Sequence, residues 1–292
     1  MRTVFILHHL WFNSCMGTLY LVATPIGNLE DMSPRAVRTL REACLIAAED
    51  TRVTRRLLTH FDLHTPITSY FEFNKLIKLD FILEALTRGD VALTSDAGTP
   101  AINDPGYELV RAALEAGHNI CPIPGPSAPL AALTASGLPT DSFLYLGYLP
   151  RKSSTRQSFL QQAVDLPYTL IFLESPHRLL PALKDMQAHL GDRQIAVARE
   201  ITKIHEQIWR GTISNAVIYF THHEPRGEFT LVVAGRAISD HPEWTEERVV
   251  MAIKIGLRFE ESASALAKRV AQESGWERKE IYKRISSLQE NP

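Results

Sequence analysis

Carboxylates, glycines and prolines are concentrated in a few short runs of this 292-residue chain. Thr24-Pro25-Ile26-Gly27-Asn28, Glu49-Asp50-Thr51-Arg52, Ser95 to Pro105 and Pro124-Gly125-Pro126-Ser127-Ala128 each follow directly on an apolar run. A single turn of this composition is ordinary, because Gly, Pro and Asp favour turns in any protein. Several at one sheet edge describe a ligand site, where glycine lets backbone approach the ligand closely. The chemistry open to these carboxylates is holding a cation or taking a proton from a weak acid. Familiar nucleotide and hydrolase signatures are missing: no G-x-x-x-x-G-K-[ST], no G-x-G-x-x-G after the first strand, no H-E-x-x-H and no G-x-S-x-G.

Alternating strands and helices must position those runs. Thr18–Ala23, Cys44–Ala48, Val91–Thr94 and Ile120–Ile123 read as apolar strands. Ser33-Pro34 supplies a cap and a first-turn proline for a helix with Ala36, Val37 and Leu40 on its buried stripe. Tyr107–Ala116 is a helix closed by Gly117, and an Ala/Leu-rich helix after Ser127 ends at Gly137. This alternation predicts a parallel sheet covered on both faces. A second set of strands follows at Phe143–Leu146, Tyr168–Leu173, Ile195–Arg199, Gln207–Arg210 and Phe229–Val233, with helices around Ser158–Val164 and Leu179–Leu190. Their closer spacing predicts a mixed sheet. After Gly235 comes a charged helical tail, Glu246 to Gln289, without strand signal. The expected organisation is α/β: one α/β domain over 17–137, a second over 138–236 and a helical C-terminal extension over 237–292.

Residues 1–16 are expected to lie outside the core. Val4–Leu7 and Leu10–Phe12 sketch a signal peptide, but histidines interrupt the run and no A-x-A cleavage pattern follows. The stretch is too short to span a bilayer. Met16 immediately precedes the first convincing strand, so the working protein is expected to begin near it.

Hydrophobic residues at 45%, charged residues at 22% and a mean hydropathy of -0.08 fit a soluble globular chain. With 31 Lys+Arg against 33 Asp+Glu, the net charge of -2 gives no global pull on nucleic acid. Any RNA contact must come from local basic patches, for which Arg151, Lys152 and Arg156 near the domain boundary, with Tyr148 for stacking, are the best placed. Arg52, Arg55 and Arg56 form another cluster, and the basic pairs of the tail read as a solvated helix face. Cys15, Cys44 and Cys121 form no CxxC or Cys/His cluster, which argues against disulfides or a metal site and fits a reducing cytoplasm. Cys44 and Cys121 are expected to be small buried apolar residues.

The site runs do not stand alone. Ala48-Glu49-Asp50-Thr51-Arg52, Asp104-Pro105-Gly106, Ser136-Gly137-Leu138-Pro139-Thr140, Pro150-Arg151-Lys152, Glu174-Ser175-Pro176-His177-Arg178, Ala198-Arg199-Glu200 and Gly227-Glu228-Phe229 accompany them in order. Together they resemble the tetrapyrrole methylase superfamily, and within it the branch that methylates small-subunit ribosomal RNA, from about Thr18 to Gly235. The resemblance implies a class III methyltransferase with S-adenosylmethionine (AdoMet) folded into the cleft between two α/β domains, acting as a homodimer. It implies 2'-O-methylation of a cytidine in the decoding region of 16S rRNA, free or in the small ribosomal subunit, with neither membrane nor metal involved. It also implies that Ser95, Asp96, Ala97, Gly98, Ile102, Ser127 and Ala128 contact the cofactor, with Pro25 and Gly227 beside them. Two local departures stand out. Phe71 and Phe73 occupy positions where relatives tend to carry histidine, which puts a histidine role there in doubt, and Ala48 replaces a common cysteine.

Methylating a ribose hydroxyl needs an in-line pose and a group that receives the proton. Glu49, Asp50 and Glu174 are the candidate carboxylates at strand ends, and His177 is the imidazole near one of them. They are expected to flank the target nucleotide, with Arg52, Arg151, Lys152, Arg156 and Arg178 contacting RNA. Capping of the next helix, or pairing with Arg52, is an equally good account of Glu49 and Asp50. Two other functions remain open on these residues: methylation of a tetrapyrrole, and a non-catalytic RNA-binding module of the ribosome.

Overall fold

The computed structural model describes residues 16–236, 244–259 and 261–290. The expectations for residues 1–15 lie outside the described residues. The chain forms two compact units, and both sheets lie in the first, which runs to Ala234 apart from Asp165–Pro167.

The first sheet is made of β1 (Thr18–Val22), β2 (Leu45–Ala48), β3 (Ile67–Ser69), β4 (Val91–Thr94) and β5 (Asn119–Ile123) in the order β3-β2-β4-β1-β5. All of its pairings are parallel. Side chains alternate across a strand, so the two faces feed separate cores. Val22, Ile46 and Ala92 pack on one face against Ala36 and Leu40 of α1 (Pro34–Glu42) and Leu57 and Leu58 of α2 (Thr51–His60). Leu19, Ala47 and Leu93 pack on the other face against Ile82 and Leu86 of α3 (Lys75–Leu86) and Leu109 and Ala113 of α4 (Tyr107–Glu115). Ser33 caps α1 as predicted, its hydroxyl accepting from the Ala36 amide. The order turns back between β4 and β1, and α/β sheets bind ligands beyond the carboxyl ends of their strands at such a point.

The helix α5 (Ala128–Ser136) ends at Gly137, whose φ of 80° is the left-handed closure read from the sequence. The second sheet contains β6 (Phe143–Tyr148), β7 (Thr169–Glu174), β8 (Gln194–Arg199), β9 (Gln207–Thr212) and β10 (Phe229–Val233), ordered β6-β7-β10-β8-β9. It is mixed: β6 runs parallel to β7 and every other pairing is antiparallel. Its helices are α6 (Ser153–Gln162), α7 (Pro176–Leu190) and α8 (Ile213–His222).

Two readings need correction here. Helix α6 begins at Ser153, not near Ser158, so Arg156 sits within a helix and not in a loop. The helical period turns Arg156 inward with Leu160, and its guanidinium binds Asp185 of α7 at 2.6 Å. Cys44, expected to be buried, is exposed at the start of β2, and Cys121 is partly exposed.

The second unit joins Asp165–Pro167 to the chain after Gly235. Within it, α9 (Glu246–Arg258), α10 (Ala263–Ser274) and α11 (Arg278–Glu290) enclose a core of Val249, Ile253, Leu266, Val270, Ile281 and Ile285. Much of its basic charge is met internally: Arg269 pairs with Glu261 at 2.9 Å and Arg284 with Glu246 at 2.5 Å.

Candidate active site

The loops after β1, β4 and β5 are stitched together. The Thr24 amide donates to the Gly98 carbonyl at 2.9 Å, and the Gly98 amide returns the bond to Thr24 at 3.0 Å. Thr24 Oγ1 also donates to the Ser95 carbonyl, and Thr99 Oγ1 to the Pro126 carbonyl. Gly98 sits at φ +85°, where a side chain is disfavoured, so this turn requires glycine.

Beside this seam the residues after β2 lock onto those after β4. The Asp50 amide donates to Asp96 Oδ1 at 3.0 Å, and the Asp96 amide donates to Glu49 Oε2 at 3.2 Å. Burial pushes the Glu49 and Asp96 carboxyls up from the ordinary range, and mutual repulsion among these acids adds to it. Asp50 behaves differently. It caps α2, accepting from the Arg52 amide at 2.8 Å, and its hydrogen bonds to the Arg52 guanidinium hold its carboxyl down at about 2.

Between the carboxyl edge of the first sheet and the second sheet lies a cavity of about 250 Å³. The first sheet contributes Glu49, Asp96, Ala97, Gly98, Ile102 and Asp104, together with Ser127 and Ala128 at the start of α5. The second contributes Tyr145, Tyr148, Glu174, Glu228 and Thr230. Close backbone approach continues on that side. Gly227, at φ +84°, leaves room for the Glu200 carboxylate, which would otherwise lie 2.5 Å from a Cβ.

Asp96, Ala97, Gly98, Ile102, Ser127 and Ala128 therefore line one cavity. Pro25 and Ser95 line a neighbouring one of about 230 Å³ that shares Asp96, and Gly227 lies next to the cavity residue Glu228. The catalytic candidates separate. Glu49 lines the cavity; Asp50 is spent on Arg52 and the α2 cap. Glu174 reaches the cavity wall, but its carboxylate is fully buried and binds Arg178 at 2.9 Å and the Ser175 amide at 2.8 Å. His177 is exposed on the first turn of α7 and does not line the cavity, with the Glu224 carboxylate as the charge facing it.

Among the expected RNA contacts, Arg151 and Lys152 are exposed, and among the described residues neither forms an ion pair. Arg52 is exposed but paired with Asp50. Arg156 and Arg178 are corrected: both guanidiniums are spent on internal carboxylates and carbonyls, Arg178 on Glu174 and the Leu149 carbonyl. The buried Arg156 guanidinium held this way is a structural brace, whereas Arg178 stays partly exposed beside Glu174. Asp104, Tyr145 and Glu228 were not singled out from the sequence. Asp104 lies in an Asp-Pro-Gly turn, and its partial burial in a cavity shared with Tyr145 and Tyr148 of β6 exists only in the folded chain.

The cavity is acidic on one side and meets the N-terminus of α5 on the other. Ser127 and Ala128 line it there, and Ser127 makes no side-chain cap bond. A helix N-terminus suits a carboxylate, and the Glu49/Asp96 side suits a cation. Parallel and mixed α/β sheets flanking such a cleft define the class III methyltransferase architecture.

Residues 18–217 match the family described as Tetrapyrrole (Corrin/Porphyrin) Methylases. The chain is 48% identical to "Ribosomal RNA small subunit methyltransferase I" of Synechocystis sp., over 91% of this chain and 96% of that protein. It is 47% identical to the protein of the same name from Halalkalibacterium halodurans, over 91% and 93% of the two chains. In fold it is similar to uroporphyrin-III C-methyl transferase from Thermus thermophilus complexed with S-adenyl homocysteine, at a TM-score of 0.53 and 20% identity over 75% of this chain and 97% of that one. The chain belongs to the tetrapyrrole methylase family, in the branch whose members are named ribosomal RNA small subunit methyltransferase I.

Proposed function

We propose that this protein transfers a methyl group from AdoMet to the ribose 2'-hydroxyl of a cytidine in the decoding region of 16S rRNA. The observation that carries the reading is the acidic cavity that meets the N-terminus of α5, in a chain 48% identical to a protein named for ribosomal RNA methylation. AdoMet carries a sulfonium, an ammonium and a carboxylate. Asp96 and Glu49 suit the cationic end, the α5 amides at Ser127 and Ala128 suit the carboxylate, and Gly98 and Ile102 give close backbone approach. Pro25 and Ser95, in the adjoining cavity, and Gly227, beside Glu228, complete the proposed cofactor site. Glu49 remains a candidate contact at the reacting end, and Glu174 with Arg178 holds the far wall. Ribose methylation is tested by mass spectrometry of ribosomal RNA from a deletion strain. One lost ribose methyl on the small subunit supports it, and an unchanged RNA overturns it.

RNA recognition falls to the exposed Arg151 and Lys152, with the exposed Arg52 as a further contact. Neutralising Arg151 and Lys152 together is expected to weaken RNA binding and flatten its salt dependence by about two phosphate contacts, with AdoMet affinity unchanged. Filter binding across a salt series checks this, and an unaltered slope refutes it. The inferred functional division is a domain over 17–137, a second over 138–236 and a helical extension over 237–292. The reaction belongs in the cytoplasm, where ribosomal RNA is modified.

The protein is also proposed to act as a homodimer. Phe73 is 90% exposed and Ile77 81% exposed, with Leu76 and Phe81 beside them on α3. Lys75 on that helix is neutralised by Glu72 and Glu108, and the exposed Asp80 and Glu84 give the apolar stripe an acidic edge. A patch of this kind on a soluble protein needs a cover, and a second copy is an occupant of matching chemistry. Ile77→Glu is expected to convert a dimer to a monomer in light scattering; an unchanged mass refutes this face.

A further inference from the structure

Asp104 is the cavity carboxylate that accepts from neither a cation nor a backbone amide among the described residues. Glu49 accepts from the Asp96 amide, Asp96 from the Asp50 amide, Glu174 binds Arg178, and Glu228 binds Lys203 at 3.0 Å. Among the described residues no cation and no backbone amide is bound to Asp104; the Ser95 hydroxyl, which reaches the Gly98 carbonyl at 3.4 Å, is the neighbour that favours its charged form. The backbone that delivers it is strained, with Ala101 at φ +66° and Asn103 at φ +63°. The loop is also wedged in place. A Cβ on Gly106 would meet Ala101 Cβ at 2.7 Å, and one on Gly147 of β6 would meet the Asn103 side chain at 2.6 Å. Left-handed residues of this kind persist only where the surroundings hold them, and they gather at functional sites.

Resting on the methyltransferase reading above, we propose that Asp104 is the proton acceptor for the substrate ribose hydroxyl. Bound AdoMet supplies a methyl on a cationic sulfur: the O–C bond forms as the S–C bond breaks, sulfur keeps the electron pair, and the hydroxyl proton passes to the Asp104 carboxylate. Burial, with the charges of Glu49 and Asp96, pushes the Asp104 carboxyl up to about 7, against the opposing Ser95 hydrogen bond. At neutral pH such a group is partly ionised and a stronger base than an ordinary aspartate. The groups facing it are Glu49 after β2, Ser95 and Asp96 after β4, and Tyr145 and Tyr148 of β6 across the cavity. Both tyrosines are themselves held protonated by burial, Tyr145 at about 12. Glu174 and Glu228 line the same cavity.

The test uses Asp104→Asn in the intact protein, first without any ligand. An acid with a raised folded pKa binds protons more tightly when folded, so its ionisation lowers stability as pH climbs from the unfolded value towards 7. The Asn variant, neutral throughout, is expected to melt above wild type near pH 8, with the gap closing towards pH 4. The same variant should bind AdoMet within about threefold of wild type by calorimetry. Its single-turnover methylation of small subunits should fall about 100-fold or more and lose the limb near pH 7, with Asp104→Glu restoring part of the rate at a shifted limb. A pH-independent melting difference overturns the assignment, as does an Asn variant with wild-type rate and limb. A rate loss fully explained by lost AdoMet affinity also overturns it, making Asp104 a cofactor-holding residue. Wild-type protein that binds AdoMet but methylates no ribosomal RNA overturns the functional reading, and the assignment with it.

Discussion

Arg156→Leu is expected to destabilise the first unit by about 3–5 kcal/mol while leaving RNA affinity unchanged. Arg156 is a side chain only 6% exposed, and its partner Asp185 is 15% exposed. The guanidinium bonds Asp185 Oδ2 through Nε at 2.7 Å and also reaches the Pro150 and Arg151 carbonyls. Gln157 and Ser153 hold the same carboxylate, so one acid bolts α6 to α7. Removing the cation leaves a buried anion uncompensated, which is why breaking the pair costs more than the pair contributes. In a unit of this size the melting temperature should drop by roughly 6–20 °C. Arg156→Leu with Asp185→Leu should recover much of it, since apolar groups of similar volume fill the same space. Differential scanning calorimetry and RNA binding, measured together, decide the point. Weaker RNA binding at unchanged stability would restore the basic-loop role read from the sequence.

Gly98→Val is expected to lower AdoMet affinity by about 100-fold or more, with the overall fold retained. The residue sits at φ +85°, a region costing a β-branched side chain at least 1–2 kcal/mol. Its amide and carbonyl both bond Thr24, and a Cβ would meet Ile26 Cγ2 at 3.4 Å. Relieving the strain means breaking that two-way bond, which moves the wall shared by the cavities on either side. About 3 kcal/mol lost at the site corresponds to roughly 100-fold in affinity. Titration calorimetry with AdoMet, alongside circular dichroism, checks it. Binding within about threefold of wild type would show that the turn is not part of the site.

Much of the fold was legible because short-range chemistry dictates it. The apolar runs Val91–Thr94 and Phe229–Val233 are strands with the same bounds in the structure, and Ser33-Pro34 and Gly137 punctuate their helices as read. Elements with weaker signals were missed. The strand β3 is only three residues long, and α3 scatters four charged residues among its twelve, so no clean apolar stripe marks it. Their stability comes from packing on the sheet, which overrides propensity.

The site divides in the same way. The Ser95 to Pro100 run was recognisable as a tight, ligand-facing turn, because glycine and proline constrain backbone locally and an apolar strand precedes them. Which charges are free was not legible. Arg151, Arg156 and Arg178 look alike in sequence, yet the last two are consumed by Asp185 and Glu174 from elements folded against them. Asp50 and Asp104 look alike too. The first is held at about 2 by an arginine two residues away, and the second is raised to about 7 by burial in the cavity beside Glu49 and Asp96. Desolvation and pairing depend on three-dimensional neighbours, so the sequence by itself determined the loops and their family, and only the tertiary structure decided which of their ionisable groups can do chemistry.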